Sequence, residues 1–390
     1  MIIIDLSYCS ENNDDRLHHG GGHYGFSAAR YINSEINEEI ALLIRPGFDL
    51  AAEGLNVSNV RAYHKEGMQI PAEFDKSENI VFLPIPYPYI KNNNLPKKAR
   101  IWATVHGLRN LELLRLAAQS ISNIDYQYDL SATGLLNTLK FFKRRLRANK
   151  KFENELLKLE KYKQFLKEGH KILTVSEHTK WTLSLLGVSD NTDSISVAYP
   201  LYPFEDHLNG GVQDISERSG LLFLSAERKE KNLDKLIMAI KKHGRLMEIV
   251  REESLVITGS SIPGLDAILN IPIKHLGYCS SNMLGAVFSK SRLLIYTSIN
   301  EGFGIPPVQA FRAGLPVLAS PNTAISEICG DAAVYANPFD YGEIAVRLYM
   351  LLNSPELRDL QVKKGYKRYD VLKQKAFKDW NNLLVSEGCE

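Results

Sequence analysis

The densest chemistry in the chain lies in Tyr296-Thr297-Ser298-Ile299-Asn300-Glu301-Gly302-Phe303-Gly304-Ile305-Pro306-Pro307-Val308-Gln309-Ala310. It reads as a strand that passes through a glycine-containing turn into a helix, with Pro307 suited to the first helical turn. Gly302 and Gly304 let the main chain approach a ligand closely, and N–H groups at a positive helix end can cradle an anion such as a diphosphate. Glu301 would stand beside that anion as a hydrogen-bond acceptor. An isolated G-x-G is more often just a tight turn, so its surroundings must carry the argument.

Glu227-Arg228-Lys229-Glu230-Lys231 follows an apolar run at 221–224. Read by itself it is a solvated charge run. His106 ends another apolar run, Trp102 to Val105, and would project from a strand end as a neutral hydroxyl-binding imidazole. Gly20-Gly21-Gly22 reads as a loop before a helical pattern through Phe26, Ala29 and Ile32, open to close backbone approach. His18, His19 and His23 flank those glycines, but the chain has no Asp-x-Asp to hold a sugar-nucleotide metal, and no metal is expected. The segment 139–151 interleaves Leu139, Phe142 and Leu146 with seven lysines and arginines. It fits equally a helix lying on an anionic membrane and a surface helix with its apolar side turned inward.

The elements that must position these residues repeat along the chain. Short apolar runs at 2–6, 40–44, 80–83, 101–105 and 172–175, and again at 221–224, 255–257, 293–296, 317–319 and 333–335, alternate with helical stretches. That alternation predicts an α/β chain of two doubly wound parallel sheets, with ligands bound where strand carboxyl ends meet helices. Between Pro200 and Gly220 the pattern dissolves into prolines, glycines and scattered charge, which marks a domain connection.

Composition narrows the classes. The 390 residues are 44% hydrophobic and 24% charged, and 47 lysines and arginines against 45 acidic residues leave +2, so no charge excess points to nucleic acid. Cys9, Cys279, Cys329 and Cys389 lie too far apart for a zinc site or a disulfide framework. The start of the chain has no signal-peptide pattern and no run of 18 apolar residues occurs, so a cytoplasmic protein is expected, peripheral on the inner membrane face if 139–151 docks there.

From Leu276-Gly277-Tyr278 through Glu301-Gly302-Phe303-Gly304, Ala313-Gly314-Leu315-Pro316-Val317 and Glu327 to Gly330-Asp331-Ala332-Ala333, the chain resembles the C-terminal domain of family 4 glycosyltransferases. Gly20 to Gly22, Thr104-Val105-His106-Gly107, Thr174-Val175-Ser176-Glu177, Lys231-Asn232 and Phe377-Lys378-Asp379-Trp380 follow that family's order. The resemblance implies a GT-B fold: a Rossmann-like acceptor domain over 1–205, a Rossmann-like nucleotide-sugar domain over 206–375 facing it across a cleft, and a helix crossing back over 376–390. It implies sugar transfer from a nucleotide diphosphate sugar, a co-substrate rather than a cofactor, to a glycan or lipid-linked glycan hydroxyl, with retention and without a metal.

The same resemblance assigns Lys231, with Arg228, to the leaving diphosphate, and His106 and Glu301 to the donor sugar. Gly21, Gly22, Gly277, Gly302, Phe303, Gly304, Ile305 and Gln309 are assigned to donor binding. The family usually carries glutamate where this chain has Gln309, so the ribose grip loses its charge assistance, which suits a deoxyribose donor such as a thymidine-diphosphate sugar. The competing readings are another GT-B enzyme such as a nucleotide-sugar epimerase, and a non-enzymatic two-lobed sugar-binding or scaffolding protein.

Overall fold

The computed structural model describes residues 1–9, 20–108 apart from 37–38, 52–53, 56–58, 66, 68 and 93, then 111–112, 153–189 apart from 155, 194–205, 218–260 and 264–388. The segment 139–151, together with His18, His19 and Cys389, lies outside them. The chain divides into two compact units, one of Met1–Tyr202 with Ala376–Glu390 and one of Pro203–Lys375.

The first unit holds a seven-stranded sheet in the order β3-β2-β1-β4-β5-β6-β7, all parallel: β1 Ile2–Asp5, β2 Ile40–Ile44, β3 Val60–His64, β4 Ile80–Leu83, β5 Arg100–Val105, β6 Lys171–Thr174 and β7 Ile195–Val197. The second holds a six-stranded parallel sheet, β10-β9-β8-β11-β12-β13, from β8 Leu221–Phe223, β9 Leu255–Ile257, β10 Ile273–His275, β11 Leu293–Tyr296, β12 Val317–Ala319 and β13 Val334–Tyr335. Strand order reverses between β1 and β4 in one sheet and between β8 and β11 in the other, which opens a crevice at the strand carboxyl ends.

Near-continuous apolar strands suit sheets covered on both faces. In the second unit Leu221 and Phe223 face one core with Leu236, Ile240 and Leu348, while Leu222 and Leu224 face another with Phe311, Val317 and Ile325. Three strands had no apolar run to announce them. Val60–His64, Ile195–Val197 and Ile273–His275 are sheet edges, half exposed, so they carry Arg61, Ser196 and Lys274 where a central strand would carry aliphatic residues.

Two expectations need correction. Gly20, Gly21 and Gly22 are not a loop: they form the first turn of helix Gly20–Glu35. The first helical N–H groups need no partner within the helix, and the face of Tyr24, Ala28, Ala29 and Ile32 is buried, so packing outweighs the weak helix propensity of glycine. The glycine that packing demands is Gly25, where a Cβ would lie 3.0 Å from Pro84 Cβ and would also press on Cys9 Sγ. The final helix, in turn, is longer than the expected 376–390. It is continuous from Pro355 to Ser386, beginning in the second unit and ending in the first. Within the first unit its Trp380 is fully buried, donates its indole N–H to Tyr199 O at 3.0 Å, and packs near Tyr24 and Phe82. Among the described residues no helix is long and apolar enough to cross a membrane.

Candidate functional site

In the second unit the loops after β8 and β11 meet at the reversal point. After β8 the chain makes a short 3-10 turn, Lys229–Lys231, closed by Asn232 in the left-handed conformation (φ 69°) that asparagine tolerates better than most residues. Asn232 Nδ2 donates to Thr297 O (3.3 Å) and Pro338 O (2.7 Å), tying the turn to the end of β11. Ile299 N donates to Glu230 O at 2.8 Å, so main chain joins the two loops as well. Glu301 N donates to Thr323 Oγ1 at 3.0 Å.

These ties bring Lys231 and Glu301 together. Lys231 Nζ donates to Glu301 Oε1 at 2.6 Å, with the two side chains 6% and 11% exposed. The same ammonium lies 4.9 Å from the centre of the Tyr296 ring, a cation–π contact at its base. An ammonium has three N–H donors, and among the described residues Lys231 commits one. Burial first, then the adjoining Glu301 carboxylate, push the Tyr296 phenol well above its ordinary pKa, so it stays neutral.

Arg228 stands at the start of the same turn. Its Nε and Nη2 both reach Glu230 Oε1, at 2.8 and 2.6 Å. Burial works to lower its pKa, but Glu230, and after it Glu301, outweigh burial and raise it, so the guanidinium stays charged.

Across the crevice, Gly304 (φ 115°) caps helix Ile305–Arg312 without a side-chain hydrogen bond to the helix N-terminus. Positive φ at this position favours glycine. Pro306 and Pro307 carry no N–H, so the donors left at this end are the amides at Gly304 and Ile305. Phe303 is buried, Gly302 half-buried, and Gln309 stands half-buried one turn into the helix. Gly277, after β10, also has positive φ (66°), faces open space where a Cβ would be, and accepts from Gly259 N at 2.8 Å.

The remaining sequence candidates belong to the first unit. His106 follows β5, and its Nε2 lies 2.7 Å from Pro84 O. A carbonyl can only accept, so Nε2 carries a proton and donates to it. Tyr24 meets the imidazole edge-on at 5.2 Å. Gly22 is buried and Gly21 half-buried in the first turn of the adjoining helix. The structure therefore gathers Lys231, Arg228, Glu301 and the 302–305 turn at one sheet edge, with Gln309 on the helix that follows, while His106, Gly21 and Gly22 lie in the other unit. Sequence reading passed over Glu230, Tyr296 and Thr323, which orient the others. The alternating charges of 227–231 immediately after a buried strand were the one signal available for Glu230. Among the described residues no cluster of His, Cys, Asp or Glu could hold a metal.

Two all-parallel sheets, each reversing strand order and each with loops gathered at its carboxyl edge, define the GT-B architecture of two Rossmann-like domains. Sucrose-phosphate synthase from Thermosynechococcus elongatus has a similar fold, with a TM-score of 0.66 over 99% of this chain and 98% of that one at 14% identity. Residues 213–368 match the family described as glycosyl transferases group 1. It is 32% identical over 93 residues to O-antigen chain mannosyltransferase B of Escherichia coli, a match covering 24% of each protein. It is 38% identical over 76 residues to O-antigen chain mannosyltransferase RfbU of Salmonella typhimurium, covering 20% of this chain and 22% of that protein. The matched stretches thus span about a quarter of the length of these curated relatives.

Proposed function

We propose that the protein transfers a sugar from a nucleotide diphosphate sugar to a hydroxyl of a growing cell-surface glycan. The similarity to O-antigen chain mannosyltransferases supports mannose as the transferred sugar. The observation that carries this reading is the Lys231–Glu301 contact, 2.6 Å long and set beside the Gly304 turn at the β8/β11 reversal. It joins a buried cation, which among the described residues commits one of its three N–H donors, to a carboxylate three residues before the glycine cap of a helix.

In this reading the departing diphosphate develops the negative charge of the transition state. Lys231, Arg228 and the amides at Gly304 and Ile305 meet that charge, so no divalent ion is assigned to the step. Glu301 accepts from sugar hydroxyls while also holding Lys231. His106 contacts the donor sugar, and Gln309 holds the ribose. The bond from the anomeric carbon to the phosphate oxygen breaks as the acceptor oxygen bonds to the same face. The acceptor proton passes to the departing phosphate oxygen, and configuration is retained.

The experiment is incubation with a panel of nucleotide sugars and glycan acceptors, with and without EDTA, followed by NMR of the product linkage. A product with the donor's anomeric configuration, formed equally in EDTA, is expected. Absence of transfer from every donor would remove the reading.

A further inference from the structure

The carboxyl edge of the first sheet carries a cation that the reaction as described does not use. Strands β1 and β2 end side by side there, Asp5 level with Leu43, and Arg45 directly follows β2. Arg45-Pro46-Gly47-Phe48 forms a tight turn: Pro46 takes the second position, Gly47 (φ 83°) the third, and Phe48 N donates to Arg45 O at 3.3 Å. The preceding carbonyl, Ile44 O, accepts from Lys65 N at 2.8 Å, and the Phe48 ring stacks on Phe26 of helix Gly20–Glu35 at 5.2 Å. Arg45 is thus presented from a fixed base.

Its guanidinium lies 5.8 Å from the centre of the Tyr8 ring, a cation–π contact, and Tyr89 braces that ring edge-on at 5.7 Å. The carboxylate of this cluster, Asp5, is already taken. Its Oδ1 accepts from Ser7 N at 3.0 Å, and its Oδ2 from Lys65 Nζ at 3.1 Å and from the Tyr89 hydroxyl. Burial lowers the pKa of Lys65, Asp5 opposes the fall and Arg45 adds to it, so two cations share one carboxylate and the strand ends keep a positive charge. Lys65 and Asp5 are sealed, whereas Arg45 and Tyr8 are only half-buried and can be reached from solvent. Among the described residues the Arg45 guanidinium meets no carboxylate, and the Tyr8 hydroxyl makes no hydrogen bond.

We infer that Arg45 and the Tyr8 hydroxyl hold an anionic group of the acceptor, a phosphate or a carboxylate, at the carboxyl ends of β1 and β2. The inference rests on the transfer reading above, with the acceptor taken by the first unit. Ligands of doubly wound sheets bind at this edge beside the reversal of strand order, which here falls between β1 and β4. A planar guanidinium offers two parallel N–H groups that match two oxygens of either acid, and the Tyr8 O–H can donate to the same group. A neutral glycan leaves this charge unmet, so the acceptor is an acidic one.

The test is phenylglyoxal modification of the full chain, with the rate at Arg45 read by mass spectrometry of its peptide. Glycerol phosphate is the phosphate probe, methyl glucuronide the carboxylate probe and methyl mannoside the neutral control. At about ten times its Kd, at least one acid should slow modification of Arg45 about tenfold, and methyl mannoside should not. The acid that protects at the lower concentration names the source of the charge. Tyr8→Phe, which keeps the ring, should need about tenfold more of that acid for equal protection, the scale of one hydrogen bond to a charged group. With an acceptor carrying that group, Arg45→Ala should raise KM about 10- to 100-fold at unchanged kcat. An Arg45 that resists the reagent without any probe, or reacts equally fast with all three, would overturn the subsite. Protection by UDP or GDP at lower concentration than by either acid would overturn its assignment to the acceptor. The labelling needs neither turnover nor a variant, so its failure strikes the subsite and leaves sugar transfer standing. Protection without transfer from any donor strikes the transfer reading, and the acceptor role with it.

Discussion

Lys65 and Asp5 in the first unit make the same kind of contact as Lys231 and Glu301 in the second. Each lysine follows a strand of a parallel sheet and meets a carboxylate at the carboxyl edge, at 3.1 Å for Lys65 and 2.6 Å for Lys231. The surroundings differ. Lys65 and Asp5 are each 1% exposed, and Lys65 Nζ also donates to Ser7 Oγ (3.4 Å) and to the Tyr89 hydroxyl, which in turn bonds to Asp5. All three ammonium donors are thus taken, and the Tyr8 and Tyr89 rings close over the cation. Burial lowers the pKa of Lys65, with Asp5 opposing. Lys231 has one carboxylate partner, one ring beneath it, and a glycine turn beside it. The first pair is closed on itself, whereas among the described residues the second commits one of the three lysine donors, which suits the ligand role proposed for it.

Substitutions should separate the two. Lys65→Ala leaves the buried Asp5 carboxylate without its cation, and is expected to cost about 3–5 kcal/mol of stability, read as a large fall in melting temperature. Lys231→Ala should lower transfer by about 10²–10³-fold, the scale of one lost transition-state donor, and lower the melting temperature by less than Lys65→Ala, because the carboxylate it leaves is 11% exposed against 1% for Asp5. Equal thermal losses in the two variants would erase the distinction. Glu230→Gln should matter less: the acceptor that aims Arg228 keeps its oxygen but loses its charge, and transfer should fall by roughly tenfold while the melting curve holds.

The smallest effect concerns alkali. The folded-state pKa of Tyr296 is raised by burial and by Glu301, so the folded chain keeps a proton that the unfolded chain releases above about pH 10. The stability this contributes is whole below pH 10 and is lost as pH rises toward the folded value. Tyr296→Phe keeps the ring under Lys231 and should therefore show a shallower fall in melting temperature above pH 10 than the parent protein. An identical fall in both would place the alkaline loss elsewhere.

The same contrast explains what could be read in advance. Ile40–Ile44 and Ile80–Leu83 are buried along their whole length and stand out as apolar runs, whereas the half-exposed edges Val60–His64 and Ile273–His275 do not. Around the site, the glycine turn and the helix after it follow from local spacing. The Lys231–Glu301 contact joins residues 70 positions apart, and Asn232 to Pro338 joins 106, so these depend on strand order. Glu227 looked like part of a solvated charge run because nothing local shows that Gly259, on another strand's loop, lies beneath its carboxylate.

The central claim, that Lys231 and the Gly304 turn capture a diphosphate, is tested most directly by titrating the protein and its Lys231→Ala variant with one nucleoside and its diphosphate. The variant should bind the diphosphate about 10- to 100-fold more weakly, the scale of one charged hydrogen bond, while nucleoside binding stays as it was. Diphosphate affinity that is the same in both proteins would contradict the account.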